Sequence, residues 1–182
     1  PTAGGTFSAL SGATIEFALS GNVDLTSGAS IDSGVTVFVS SGSFVSNLTL
    51  LSAGSATVSS GGTVFNGVLS GATETVLSGG IAQSQTILSG GVLAVSSGAI
   101  LGGISLSSGG TLSVMSGASA VLTSITSGAS LDVAPGAVAS LTLVLSGGLL
   151  SETAGASWLN SFVSSGGTLV VGSGAIDSKS FL

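Results

Sequence analysis

Ser-Gly pairs, or close stand-ins, recur along this chain at two alternating intervals. Their second residues fall at 34, 42, 53, 61, 71, 79, 90, 98, 109, 117, 128, 136, 147, 155, 166 and 174, with Ala53 replacing glycine once. Steps of 8 and 11 alternate to give a 19-residue unit, and one unit, 53 to 70, is a residue short. Seven full units and a partial eighth span Ser33 to Leu182. A fixed period of this length marks a stack of similar supersecondary units, each unable to bury its own apolar face alone.

Side chains fall into columns within the unit. In the short half, the fifth position reads Val37, Ala56, Glu74, Leu93, Leu112, Leu131, Leu150, Leu169, and the seventh reads Val39, Val58, Val76, Val95, Val114, Val133, Glu152, Val171. Two residues apart is one face of a strand, so both columns are expected to point inward. In the long half, the fifth position reads Val45, Val64, Ala82, Leu101, Ala120, Ala139, Trp158, Asp177. The tenth is aliphatic at Leu50, Ile87, Leu106, Ile125, Val144, Val163 and Leu182, with Val68 joining it if the short unit is gapped just before that residue.

The Ser-Gly pairs read as corners, because glycine takes positive φ without a Cβ penalty and serine satisfies nearby backbone groups. Helical repeats fail at this glycine density, which costs about 1 kcal/mol per glycine. Antiparallel hairpins do not explain uniform columns at a fixed period. The expectation is an all-β chain, a single-stranded parallel β-helix (a β-solenoid) with 19 residues per coil and coils about 4.8 Å apart. Residues 1–32 are less regular, and Phe7, Ile15 and Phe17 read as continuing the core through one or two degenerate coils. The partial last unit reads as a piece of something longer.

Composition removes whole classes of function. The chain has 182 residues, 31 of them glycine, with one cation (Lys179), seven acids and a net charge of −6. Histidine and cysteine are absent. The usual transition-metal ligands and the Ser-His-Asp or Cys-His nucleophile systems are therefore missing, and no metal or other cofactor is expected. A single cation leaves no footprint for a nucleic-acid partner. A 43% hydrophobic content argues against disorder. Ser and Gly interrupt every apolar run well short of the ~18 residues of a spanning helix, so no membrane insertion of this segment is expected. The opening Pro1-Thr-Ala-Gly-Gly lacks the basic and apolar regions of a signal peptide.

The stretches Ser78-Gly-Gly-Ile-Ala-Gln-Ser-Gln-Thr-Ile-Leu88 and Ser116-Gly-Ala-Ser-Ala-Val-Leu-Thr-Ser-Ile-Thr126, within this 19-residue pattern, resemble self-associating autotransporter adhesins of the diffuse-adherence type. The resemblance covers about residues 33–182. It implies a right-handed β-helix and a passenger displayed extracellularly on the Gram-negative cell surface. It also implies aggregation, biofilm formation or adhesion to host or bacterial surfaces, with Ser/Thr glycosylation in some members. Two departures stand out. Leu93, Leu112 and Leu131 occupy positions where the family usually carries polar residues, and the outward columns include Leu51, Leu69, Leu88 and Leu145. These leucines, with Phe38 and Phe44 nearby, are the expected self-association rows, through apolar lateral packing.

Several residues invite chemistry. Glu74 and Glu152 replace aliphatic residues in the inward columns. A buried carboxylate is costly unless paired, so a local bulge or an end effect is expected to turn each to solvent. Four coils separate them, roughly 19 Å, beyond the ~5–9.5 Å window of paired glycosidase acids. No enzymatic activity is expected. Asp132 and Glu152 should point to opposite faces, and Asp24 and Asp32 flank a corner where solvation explains them better than a cation. Trp158 either stacks on a sugar ring or fills a widened core. Asn47-Leu-Thr49 matches a glycosylation sequon, a common motif by chance, and Asn47 and Asn66 share a column suited to a ladder. Ice binding would need flat Thr-x-Thr rows, which Val92/Ala94 and Leu149/Ser151 interrupt. The reading that remains is an adhesive module, with a structural fibre or spacer as its alternative.

Overall fold

The computed structural model describes residues 14–17, 21–24, 30–31, 34–179 and 181. Asp32, Phe7 and the side chains of Asp24 and Phe17 lie outside the described residues. Each strand inside a sheet pairs in parallel with the strand one coil before and one coil after it, and no helix occurs among the described residues. Three sheets result, of nine, nine and eight strands, and they wrap one axis as a β-solenoid of about 19 residues per coil.

A single coil shows how the sequence makes the three walls. Thr111–Val114 belongs to the first sheet, Ser119–Val121 to the second and Thr123–Ile125 to the third. The first corner is Met115-Ser116-Gly117-Ala118, closed by the Ala118 amide donating to the Met115 carbonyl at 2.9 Å. Gly117 sits third in that turn at φ 73°, a backbone region that side chains resist and glycine enters freely. A second Ser-Gly corner, Ser127-Gly128, returns the chain to the first sheet. Hydrogen bonds run from coil to coil even through this corner: the Gly128 amide donates to Gly147 at 2.6 Å and the Gly147 amide to Gly166 at 2.7 Å.

The long half thus contains two strands, and a third bend between them carries no Ser-Gly pair. One residue with positive φ makes it: Asn47, Asn66, Ser84, Gly103, Leu122, Leu141, Asn160 and Lys179 in successive coils.

Strand pleating sends alternate residues to the axis. Leu93 pairs in register with Leu112, Leu112 with Leu131, and Leu131 with Leu150, and all four are buried. Val95, Val114 and Val133 form a second buried column two residues on. Leu169 and Val171 head these columns in the last described coil, where Leu169 is half-buried and Val171 is 50% exposed. The second sheet contributes Leu101, Ala120, Ala139 and Trp158, and the third Ile87, Leu106, Ile125 and Val144. Ile15, in an earlier strand that pairs with Thr36–Val39, packs against the same core.

The short unit corrects one assignment. Leu69, not Val68, stands in the tenth-position column, in register with Leu50 and Ile87. The missing residue therefore falls at the corner after Leu69, where the Ser70 amide takes up the bond to Leu50. Leu69 is 0% exposed and Val68 faces partly outward. A corner absorbs a deletion by tightening, whereas a deletion inside the strand would turn Val68 inward and Leu69 outward.

Leu112→Asp should lower stability by more than about 3 kcal/mol, because it places an unpaired charge between two leucines in a dry column. Urea unfolding followed by circular dichroism measures the change. A midpoint unaltered by this substitution would contradict the stacking.

Candidate self-association surface

The third bend sorts side chains by position: the positive-φ residue points out and its successor points in. Asn47 is followed by buried Leu48, and Gly103 by buried Ile104. Asn and Gly suit this conformation, and the Asn66 side-chain amide donates to the Asn47 side-chain oxygen one coil away, making the ladder that their shared column suggests. Two coils invert the polarity. Leu122 and Leu141 occupy the bend at φ 57° and 52°, and their successors Thr123 and Thr142 are buried. A left-handed conformation costs a leucine about 1–2 kcal/mol. The Oγ1 atoms of both threonines lack a hydrogen-bond partner. Exposure of Leu122 is 58% and of Leu141 48%, so each leaves about half of its side chain open to solvent.

These leucines belong to an apolar ridge. On the second-sheet side, Val121 and Leu159 lie in one outward row with Ser140 between them. On the third-sheet side, Leu143 pairs with Phe162, which are 36% and 45% exposed, and Phe181 continues the row by an isolated bridge. Earlier coils carry Thr86, Ser105 and Ser124 at the Leu143 position. The ridge is therefore local to the coils around Leu122–Phe162, and it contains no charged residue.

The rows expected from the sequence do not assemble into one patch. Leu51, Leu88 and Leu145 follow the third sheet at the corner leading back to the first, but Ser70, Ser107 and Thr126 interrupt them in the intervening coils. Leu51 is exposed, Leu88 and Leu145 are half-buried, and Leu69 is buried in the core, so Leu69 offers no surface. Phe38 lies on the outer side of the first sheet, while Phe44 lies on the second and stacks on Phe65 with ring centroids 6.2 Å apart. The ridge at Leu122 and Leu141 lies in the Asn47–Asn66 column, which reaches them when carried forward coil by coil.

The two core acids also differ from expectation. No bulge turns them outward: Glu74 pairs in register with Ala56 and Leu93, and Glu152 with Val133 and Val171. Both carboxyls are buried, and none of their oxygens has a hydrogen-bond partner. Expelling either side chain would break in-register backbone bonds to two neighbouring strands, whereas a protonated carboxyl stays neutral. Burial pushes the Glu74 pKa up to about 8. Burial, and secondarily the charge of Asp177, pushes Glu152 up to about 7. Asp132, on the opposite side of the strand from Glu152's column, points outward.

Other polar groups share these coils. Gln85 is buried and donates through Nε2 to the Val64 carbonyl at 3.3 Å, filling the space that Gly67 leaves by having no side chain. Trp158 is wholly buried above Ala139 with its indole nitrogen unpartnered, so it fills core volume and presents no face to a sugar. Glu74 and Glu152, both buried, do not form a solvent-open pair of acids. The cleft of about 510 Å³ beside Val163, Gly167, Leu169 and Val171 lies at the last described coils and is lined by core and corner residues.

The buried acids give the fold a pH dependence of definite sign. Unfolded, each ionises near its ordinary value of 4.5; folded, Glu152 holds its proton to about pH 7 and Glu74 to about pH 8. Between those limits the native state binds more protons, so stability falls as pH rises, by about 1.4 kcal/mol per unit for each acid. It levels off above the folded values. Glu74→Leu should raise the melting temperature at pH 7 by roughly 5 °C or more and flatten the decline. Melting curves from pH 4.5 to 8.5 test this, and a melting temperature constant over that range would contradict it.

No family model and no curated protein matches the chain. Among solved structures it is similar to the crystal structure of a TibC-catalysed hyper-glycosylated TibA fragment. Identity is 26%, the match covers 92% of this chain and 83% of that one, and the TM-score is 0.41. A superposition this loose carries no argument about function.

Proposed function

We propose that this chain is an adhesive passenger module that associates with copies of itself, and through that association aggregates cells or attaches them to host or bacterial surfaces. The observation that carries this reading is a long flank whose outward rows repeat once per coil and hold almost no charge. Across the outward row of the first sheet that runs Thr57, Thr75, Ala94, Ser113, Asp132 and Ser151, one residue is ionisable. Most soluble domains are kept apart by a surface rich in charge. A surface without it, repeated every ~4.8 Å, lets weak contacts line up and add. The sequence resemblance to diffuse-adherence autotransporter passengers supports the same reading, and with it a position outside a Gram-negative cell.

A spacer or fibre is the competing reading, and self-association separates the two. An enzymatic role finds no support in the carboxyls, which are buried, unpartnered and four coils apart. Glycosylation on hydroxyls is part of the proposal: Ser78, Ser97, Ser116 and Ser146 stand exposed at the corners, and intact mass of protein from its native source reads any sugar directly.

Sedimentation velocity over a wide concentration range is the test. Mass should rise with concentration, and with so few charges the association should change little between low and physiological salt. A monodisperse monomer at every concentration would leave the spacer reading in its place.

A further inference from the structure

We propose that the ridge formed by Val121, Leu122, Leu141, Leu143, Leu159 and Phe162 is the docking surface for a second copy of this chain, joined across a two-fold axis close to Leu141. The inference rests on the self-association reading and names the face responsible. Two independent observations carry it. First, the bend holds Leu122 and Leu141 in a left-handed conformation suited to Asn or Gly, and exposes them there. Second, the same two coils bury Thr123 and Thr142 with unpartnered hydroxyls, so polar and apolar residues have exchanged places relative to Asn47–Leu48 and Gly103–Ile104. Both features weaken the isolated chain. They become useful when another surface covers the leucines.

The choice of a second copy follows from area, spacing and charge. With Leu122, Leu141, Leu143 and Phe162 between 36% and 58% exposed, the ridge is an apolar patch of a few hundred Å², the size of the largest and often functional patch on a monomer. Two such ridges together bury less than about 1,200 Å², the lower end for specific, stable interfaces. The contact is therefore weak singly and strong when many copies are displayed side by side. Leu122 and Leu141 recur at the coil spacing, so an identical solenoid presents side chains at the matching interval. An isologous contact needs only one self-complementary patch, and no charge in the ridge opposes a copy of itself.

The test uses Leu122→Asn with Leu141→Asn, which installs the residue found at the same bend in Asn47, Asn66 and Asn160. Asn suits that backbone, so the melting temperature should hold or rise while the dimer dissociation constant increases at least about tenfold in sedimentation equilibrium. The chain has no cysteine, so Leu141→Cys should give a covalent dimer under mild oxidation and Thr75→Cys, on the first sheet, should not. If the parent chain associates and the double variant associates equally well, the ridge is not the interface, although self-association stands. If the parent chain is monomeric throughout, both readings fall. Binding of the parent monomer to phosphatidylcholine vesicles, lost in the double variant, would make lipid the occupant and overturn the second-copy proposal.

Discussion

The parallel backbone ladder between coils governs everything else in this molecule. Each coil donates to and accepts from both neighbours, alternate residues facing the coil before and the coil after, so a coil finds its hydrogen-bond partners only if the next coil bends at equivalent places. The corners are therefore fixed before any side chain is chosen. That requirement explains glycine at almost every Ser-Gly corner and a left-handed residue at every third bend. It also explains why a missing residue is absorbed at a corner beside Leu69. Side chains inherit whatever direction the ladder gives them.

Most of the architecture was legible because corners and core carry strong residue preferences. Ser-Gly spacing located two bends of three, and the Leu93–Leu150 and Val95–Val133 columns gave the inward face of the first sheet. The third bend was hidden because its occupants, from Asn47 through Gly103 and Leu122 to Lys179, share a conformation and not a chemistry. Leu69 was misplaced for a related reason. A one-residue gap beside two adjacent aliphatics, Val68 and Leu69, has two solutions in sequence, and only pairing with Leu50 and Ile87 decides between them.

The acids were misread because desolvation was weighed alone. Turning Glu74 outward requires a bulge in the middle of a nine-stranded sheet, which disrupts the ladder toward both Ala56 and Leu93. Holding a proton is the smaller cost over much of the pH range, and the carboxyl remains in its column as a poor substitute for leucine. Glu152 follows the same rule nearer the last described coils, with Asp177 adding repulsion.

The bend at Leu122 and Leu141 has no such account within one chain. Core acids leave the strand geometry untouched, but these leucines occupy a disfavoured conformation and still remain outside. The ladder forbids the simple remedy of a one-residue slip that would exchange Leu for Thr, since the corners on either side fix the register. A sequence that placed Thr or Asn at the bend and Leu after it would satisfy both the backbone and the core, as Asn47–Leu48 does. Departures from local consistency tend to collect where a protein meets something else. Here the departure spans two successive coils and merges on both flanks with apolar rows. Strain, exposure and a buried unpaired hydroxyl thus coincide at one place on a surface that carries few charges, and the solenoid repeat aligns that place with its counterpart on an identical chain.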